Sequence, residues 1–248
     1  MSLRNKTVQG SALMAAATFG ARPIALLYSI FLLRLLSPEA FGTVALAMIL
    51  FNTANIFTDL GMQGAIIQTK DNVQKISFYG FVIVMIGSLI FYAIVFAFAS
   101  PIATLLGGDE SLVPILRLLG LVVILDGLWT VPEALLRRNL EFKKLALTRF
   151  TIDIASGGTS VILAFMGFGV YSLILGTILA EVFRVIMYSF QAPKGWLKYF
   201  PFERNALMDL LRFGAPAVGA GVGRYFSQHW DDWIVGRTLG TTALGYYS

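Results

Sequence analysis

The sequence contains no cysteine and a single histidine, His229. The absence of cysteine excludes disulfide bonds and thiolate metal sites, and one histidine cannot build a metal site from several imidazoles. The sequence also has no grouping of serine, histidine and aspartate, and no pair of carboxylates, in a context that suits catalysis. We therefore expect no metal, no cofactor and no enzymatic activity.

Charged residues are scarce as well. They make up 13% of the 248 residues, and hydrophobic residues make up 57%, with a mean hydropathy of +0.75. A soluble domain has about 25% charged residues. A core of this size cannot hide so much apolar surface from water, so lipid must surround much of the chain. The net charge of +5 does not indicate nucleic-acid binding, because the basic residues are spread between apolar segments.

Seven long apolar runs fill most of the chain. A helix needs about 20 mostly apolar residues to cross a bilayer, whereas the strands of a barrel alternate between apolar and polar residues. The runs are continuous, so the sequence predicts an all-α polytopic membrane protein, with Pro101 ending the membrane part of the third run. The runs cover residues 8–33, 41–67, 76–106, 112–136, 145–166, 170–190 and 206–236.

A signal peptide is the alternative interpretation of the first run. Arg4 and Lys6 would form its basic region, and the alanines at 15–17 resemble a cleavage site. The apolar run continues to Leu33, however, whereas the apolar part of a signal peptide has about 7–15 residues. We therefore expect a retained first helix.

Basic residues alternate between the connections. If the N-terminus is cytoplasmic, only Arg34 and Arg237 lie on the outer side, where Asp109 and Glu110 share a loop. An excess of lysine and arginine marks the cytoplasmic side of membrane proteins, so we predict a cytoplasmic N-terminus. The basic residues on that side are Arg4, Lys6, Lys70, Lys75, Arg137, Arg138, Lys143, Lys144, Lys194, Lys198, Arg204 and Arg212.

Charged side chains also occur inside the apolar runs, where an ionised group costs at least about 2.5–3.5 kcal/mol at mid-bilayer. They should therefore face the bundle interior, a water-filled cavity or a partner charge, and they are candidates for a functional site. We expect Arg22, near the middle of its run, to line a cavity, and Arg224 has a similar place in the last run. The charged residues within runs are Arg22, Arg117, Arg149, Arg184, Arg224, Asp59, Asp126, Asp153, Glu181, Asp231 and Asp232.

Some of these charges have a neighbour of opposite sign. Arg149 precedes Asp153 by four residues, and Glu181 precedes Arg184 by three, so each pair shares one face of a helix. Each pair has two open interpretations, which are a self-contained ion pair and a role in the cavity. Asp59 and Asp126 have no local partner and are candidates for balancing Arg22 or for binding a coupling cation.

A short repeat indicates two halves. Residues 34–42 read RLLSPEAFG and residues 237–245 read RTLGTTALG, with four identities in register. Each copy closes one long apolar stretch, and duplicated halves are common in membrane transporters. Between the halves, residues 191–205 mix aromatic side chains with lysines, as in a headgroup layer. We therefore predict a six-helix transmembrane lobe at 1–190, an interfacial linker at 191–205, and the first helix of a second lobe at 206–248.

Four stretches resemble the polysaccharide-transporter branch of the MOP flippase superfamily, close to its colanic-acid-exporter-like group. The charged and aromatic spacing of the second and fourth stretches is not explained by hydropathy. The stretches are LLSPEAFGTVA at 35–45, PEALLRRNLEFKKLA at 132–146, MGFGVYSLILG at 166–176 and DDWIVGRTLGTTALGYY at 231–247.

The resemblance implies a MATE/MOP-like fold, in which two six-helix lobes face a central cavity. It implies a bacterial cytoplasmic membrane location and the flipping of undecaprenyl-pyrophosphate-linked oligosaccharide by alternating access. The implied partners are this substrate, membrane lipids and the polysaccharide polymerase or export machinery, with no nucleic acid. Family members are normally much longer, so we expect a fragment, a split subunit or a truncated gene product.

The resemblance also gives roles to the charges within the runs. Arg22 and Arg224, with Arg149 and Arg184, would bind the anionic headgroup. The alternative is a cation-coupled exporter of small molecules or drugs from the same superfamily. Coupling ions or charge balance would then be supplied by Asp59, Asp126, Asp153 and Glu181.

Overall fold

The computed structural model describes residues 3–69, 72–198, 201, 203–205, 207–212 and scattered positions between 214 and 238. The described residues form eight helices and no strand, which confirms the all-α prediction. Two helices are short, α3 (Met62–Gln68) and α5 (Ala99–Leu105). The long ones are α1 (Leu3–Leu35), α2 (Pro38–Asp59), α4 (Val73–Ala97), α6 (Leu112–Arg138), α7 (Phe142–Phe165) and α8 (Tyr171–Gln191).

Four of these helices are long and apolar enough to cross a membrane, judged by length and composition. The stretches that qualify are Ala12–Leu35, Val73–Ala97, Leu112–Arg138 and Tyr171–Gln191. Helix α7 matches the fifth apolar run in position, but its first turns carry the charged side chains of Lys143, Lys144 and Arg149. The described positions between 204 and 238 are helical, where the seventh run was predicted.

Two predicted runs are each broken into two helices. The second run breaks at Leu60 and Gly61, whose φ angles of 46° and 70° lie in the left-handed region. Only glycine adopts that region without strain, so the dipeptide ends α2 sharply. The third run breaks at Phe98, three residues before Pro101, where the membrane part of this run was predicted to end. Average hydropathy marks neither break, although Asp59 and Gly61 stand at the first and Pro101 follows the second.

Helices α1 and α7 run parallel. Three aromatic rings each pack against a glycine of the other helix, and these contacts occur in the same order along both helices. A Cβ atom added at Gly10 would lie 2.2 Å from Phe142, and one added at Gly20 would lie 3.9 Å from Phe150. Further along, a Cβ atom at Gly157 would lie 2.1 Å from the ring of Tyr28. Small residues allow such close approach between membrane helices. These three contacts fix the register of the two helices.

Two other helix pairs, α7 with α8 and α4 with α6, run antiparallel. Helices α7 and α8 are antiparallel, since Thr148 accepts a hydrogen bond from Gln191 at 2.8 Å while Ser160 lies against Gly176. Helices α4 and α6 are also antiparallel, because Tyr92 packs on Gly120 and Ser88 packs on Gly127. The directions of these helix pairs agree with the charge pattern of the connections.

Helix α6 lies at the centre of the bundle. Its apolar side chains form a buried cluster with α2, α4, α5 and α8, which includes Phe51, Val95, Leu116, Leu119 and Ile174. Half of the apolar stretch of α6 is buried, whereas only 11% of the apolar stretch of α1 is buried. Helix α1 therefore packs mainly on α7 and leaves large apolar side chains on its outer faces, as a lipid environment requires.

The predicted linker at 191–205 packs against α4. Trp196 forms an edge-to-face contact with Phe81, with ring centroids 5.5 Å apart. The Tyr79 hydroxyl donates to the carbonyl of Pro201 at 2.5 Å and accepts from the backbone N–H of Glu203 at 3.1 Å. Beside it, Lys75 forms a salt bridge with Glu203 at 2.6 Å. These contacts hold the start of the following helix against α4.

We expect Tyr79→Phe to loosen this attachment. The change removes both hydrogen bonds of the hydroxyl and leaves the ring in place, and each bond contributes about 1 kcal/mol. Hydrogen exchange at the Glu203 amide should therefore rise about fivefold or more. Tyr171→Phe, at the far end of α8, is the control and should leave this amide unchanged. Equal exchange in both variants would show that the Tyr79 hydroxyl does not hold the linker.

Candidate functional site

An open cavity of about 690 Å³ lies between α1, α2, α7 and α8. Three charged side chains line it, those of Arg22, Arg149 and Asp153. Helix α2 contributes apolar side chains, among them Phe41 and Met48. The hydroxyl-bearing residues in the wall are Thr18, Tyr28, Ser29, Ser156, Ser160 and Thr177.

The helical repeat places these side chains together. Residues three or four apart lie on one face of a helix, and the lining residues of both α1 and α7 follow this spacing. Alanines and a glycine alternate with the polar residues, and their small size leaves room for the cavity. The lining residues are Thr18, Ala21, Arg22, Ala25, Tyr28, Ser29 and Leu32 on α1, and Arg149, Asp153, Ser156, Gly157 and Ser160 on α7.

Arg22 and Arg149 have no acidic partner within salt-bridge distance among the described residues. The guanidinium of Arg22 lies over the ring of Phe19, 5.1 Å from its centroid. Arg149 and Asp153, which were candidates for a self-contained ion pair, form no salt bridge. Two arginines and one aspartate give the lining a formal charge of +1 (2 − 1). Arg22 lies within a candidate membrane span, where an unpaired guanidinium group requires water or an anionic ligand.

A second charged cluster lies between α6 and α8, away from the cavity lining. Arg184 pairs with Glu181 at 2.8 Å, which confirms the self-contained alternative for this pair. The indole N–H of Trp129 donates to Asp126 at 3.1 Å and to Glu181 at 2.9 Å, and Arg184 lies over the same ring. Both carboxyl groups belong to buried residues. The cluster therefore pairs Arg184 with Glu181, and the Trp129 indole joins the two carboxyl groups, which holds α6 against α8.

The remaining predicted site residues lie elsewhere. Asp59 accepts a hydrogen bond from the backbone N–H of Gln63 at 3.3 Å, at the break between α2 and α3. Arg224, with Asp231, Asp232 and Arg237, lies outside the described residues. Of the eight predicted site residues, the structure brings Arg22, Arg149 and Asp153 to one cavity and places Arg184, Glu181 and Asp126 together in another cluster.

Sequence reasoning missed two aromatic residues. Tyr28 lines the cavity, and Trp129 bridges the two carboxyl groups of the second cluster. A usable signal existed for Tyr28, because it continues a series of three-residue steps along the lining face of α1, from Arg22 through Ala25. For Trp129 the signal was its spacing of three residues from Asp126, which places the indole beside that carboxyl group.

Residues 31–248 match the sequence family described as polysaccharide biosynthesis protein. The succinoglycan biosynthesis transport protein ExoT of Rhizobium meliloti (strain 1021) is 27% identical over 244 residues, which is 98% of this chain and 48% of the relative. The lipopolysaccharide biosynthesis protein WzxC of Escherichia coli (strain K12) is 24% identical over 250 residues, covering 100% of this chain and 50% of the relative. The chain thus spans about half the length of both relatives.

Two solved structures with a similar fold are MATE proteins. An inward-facing multidrug resistance MATE family transporter of the MOP superfamily superposes with a TM-score of 0.68 at 16% identity, over 90% of this chain and 56% of that one. A MATE structure in the bent conformation gives 0.65 at 16% identity, over 98% and 59%. At this identity the likeness establishes the fold, and the predicted MATE/MOP-like architecture is confirmed.

Proposed function

This chain belongs to the polysaccharide biosynthesis protein family, and on that premise we propose that it forms the N-terminal half of a flippase for lipid-linked oligosaccharides. The substrate would be an oligosaccharide joined through pyrophosphate to undecaprenol, and it would pass between membrane leaflets by alternating access. Residues 1–190 would form one lobe, residues 191–205 the linker, and residues 206–248 the first helix of the second lobe. The N-terminus and the linker would lie in the cytoplasm of a bacterium.

The observation that carries the proposal is the pair of arginines in the cavity without an acidic partner. A pyrophosphate carries several negative oxygens that must leave water to cross the membrane. Arginine binds phosphate oxygens through two parallel N–H donors, and the guanidinium group is more weakly hydrated than an ammonium group. Arg22 and Arg149 would therefore replace the hydration of the pyrophosphate, while Asp153 limits the net charge of the wall. Arg224 would contribute from the second lobe.

The cavity does not favour the alternative of a drug exporter coupled to cations. A formal charge of +1 in the wall opposes the binding of cationic drugs. Of the acidic residues proposed for coupling, only Asp153 lines the cavity, while Asp126 and Glu181 belong to the cluster around Trp129. An association with the polysaccharide polymerase or export machinery stays a prediction.

The experiment replaces Arg22 in the gene that encodes this chain. Removing a charged donor to phosphate costs about 1.5–3 kcal/mol, or about 10- to 100-fold in affinity. Arg22→Ala should therefore lower surface polysaccharide at least about tenfold at subsaturating substrate, and Arg22→Lys should restore part of it. The control is Arg34→Ala, on the same helix but outside the cavity lining. Unchanged polysaccharide with Arg22→Ala at normal protein level would contradict the proposed role.

A further inference from the structure

The cavity has two layers of different chemistry. All three charged lining residues lie at one level, because the contacts of Phe150 with Gly20 and of Tyr28 with Gly157 set the register of α1 and α7. This register brings Arg22 level with the segment between Arg149 and Asp153, and we name these three residues the charged layer.

A second layer follows toward the C-terminal ends of α1 and α7. Tyr28 lies six residues beyond Arg22, which is a rise of about 9 Å along an α-helix, and Ser160 lies seven residues beyond Asp153. With Ser29 and Thr177 they form a set of hydroxyl groups in the cavity wall. We name these four residues the hydroxyl layer, and none of them carries a charge.

The hydroxyl layer presents acceptors. Ser29 donates its hydroxyl hydrogen to the carbonyl of Ala25 at 3.0 Å, and Thr177 donates to the carbonyl of Leu173 at 2.9 Å. Once its hydrogen is engaged, a hydroxyl oxygen offers only lone pairs to a ligand. Acceptors without charge, set among apolar side chains, suit a neutral ligand that carries several hydroxyl donors.

Tyr28 adds a fixed aromatic surface to this layer. Its ring packs against Gly157, in the space left by the missing side chain, which we call the notch at Gly157. A Cβ atom added there would come within 2.1 Å of Cδ2 and 2.8 Å of Cγ of the ring. The same tyrosine lines the cavity, so the glycine notch holds the ring in place from one side. A held ring offers an apolar surface to a ligand without losing side-chain freedom on binding.

We propose that the hydroxyl layer is a carbohydrate subsite, in which Tyr28 packs against a sugar ring while the charged layer holds the linked pyrophosphate. The proposal deepens the function proposed above and depends on it. The apolar C–H face of a sugar ring matches the aromatic face, and the hydroxyl groups at its edge match the Ser29 and Thr177 acceptors. A ligand that carries both chemistries, an anionic link and a neutral sugar, would span the two layers.

The test compares two probes on the purified chain in lipid nanodiscs, namely undecaprenyl pyrophosphate and the same lipid carrying one hexose. The unmodified chain should bind the hexose-bearing lipid about three- to tenfold more tightly, because ring contacts are worth this much beyond simple burial. Tyr28→Leu fills the notch but has no aromatic face. It should bring the ratio of the two affinities close to one and leave the affinity for the bare lipid unchanged. Tyr28→Phe should keep the ratio.

The matched control is Tyr92→Leu, since Tyr92 also seats on a glycine, Gly120, but does not line the cavity. If Tyr28→Leu does not fold, Ser160→Ala tests the same layer and should lower the same ratio. Equal affinity of the unmodified chain for both probes would overturn the carbohydrate subsite, and so would a parallel loss of both affinities in Tyr28→Leu. If neither probe binds the unmodified chain, the proposed function itself fails.

Discussion

Replacing Arg184 by leucine lowers the free energy of unfolding by about 3–5 kcal/mol, because the change leaves buried carboxyl groups without their cation. Arg184 is the positive member of a cluster in which Trp129 donates to both Asp126 and Glu181. Without it, two carboxyl groups meet at one indole N–H between α6 and α8. Unfolding in mixed micelles of increasing SDS content measures the loss.

The double change of Arg184 and Glu181 to leucine should be less damaging than Arg184→Leu alone. It removes the pair together and leaves Asp126 with its hydrogen bond from Trp129. The matched control is Lys144→Leu, which breaks an exposed salt bridge to Glu141 at 3.5 Å and should cost less than about 1 kcal/mol. If Arg184→Leu is no more destabilising than Lys144→Leu, the cluster does not hold α6 against α8.

Gly157→Leu should destabilise the chain by about 1–3 kcal/mol or more through overpacking between α1 and α7. The Tyr28 ring occupies the space that the new side chain needs, with Cδ2 at 2.1 Å from the position of an added Cβ atom. Either the ring leaves its notch or the helices separate, and α1 packs mainly on α7. The loss appears in the thermal melting temperature of the purified chain in detergent.

The neighbouring glycine provides the control. At Gly158 an added Cβ atom lies no nearer than 3.7 Å, to the Tyr28 hydroxyl, which is an ordinary contact. Alanine favours a helix interior over glycine by about 0.8–1 kcal/mol, so Gly158→Ala should leave the melting temperature unchanged or raise it. A lower melting temperature for Gly158→Ala than for Gly157→Leu would show that the notch at Gly157 is not where the helices meet closely.

Hydropathy and loop charge together predicted the helix order and the alternation of direction, because the bilayer imposes both on the sequence. They could not predict the break at Leu60 and Gly61. That break depends on left-handed backbone angles at Leu60 and Gly61, and mean hydropathy over a long window does not respond to a single glycine. Composition predicted the helix that follows the linker, but it did not predict that Leu207 and Leu210 pack in one cluster with Met62 of α3.

The candidate site was predictable in part. The cost of burying charge singled out Arg22, Arg149 and Arg184 alike. Its place near the middle of a run predicted a cavity position for Arg22, but Arg149 and Arg184 were left with two interpretations each. That distinction depends on neighbouring helices. Arg184 finds Glu181 on its own helix and Trp129 on α6, whereas Arg22 and Arg149 face a space that small residues leave open. Tyr28 escaped notice because its role arises from Gly157, a glycine on another helix.

The central claim is that the cavity between α1, α2, α7 and α8 is open to water and binds a pyrophosphate-linked lipid. Because the sequence has no cysteine, Ser156→Cys places a single thiol in the cavity wall. Its rate of reaction with a water-soluble, membrane-impermeant thiol reagent is measured with and without undecaprenyl pyrophosphate, and Ser100→Cys on the exposed face of α5 serves as the control. We predict that the thiol at 156 reacts readily and is protected in proportion to lipid concentration, while the thiol at 100 is not protected. A thiol at 156 that does not react, or that reacts equally fast at saturating lipid, would contradict the account.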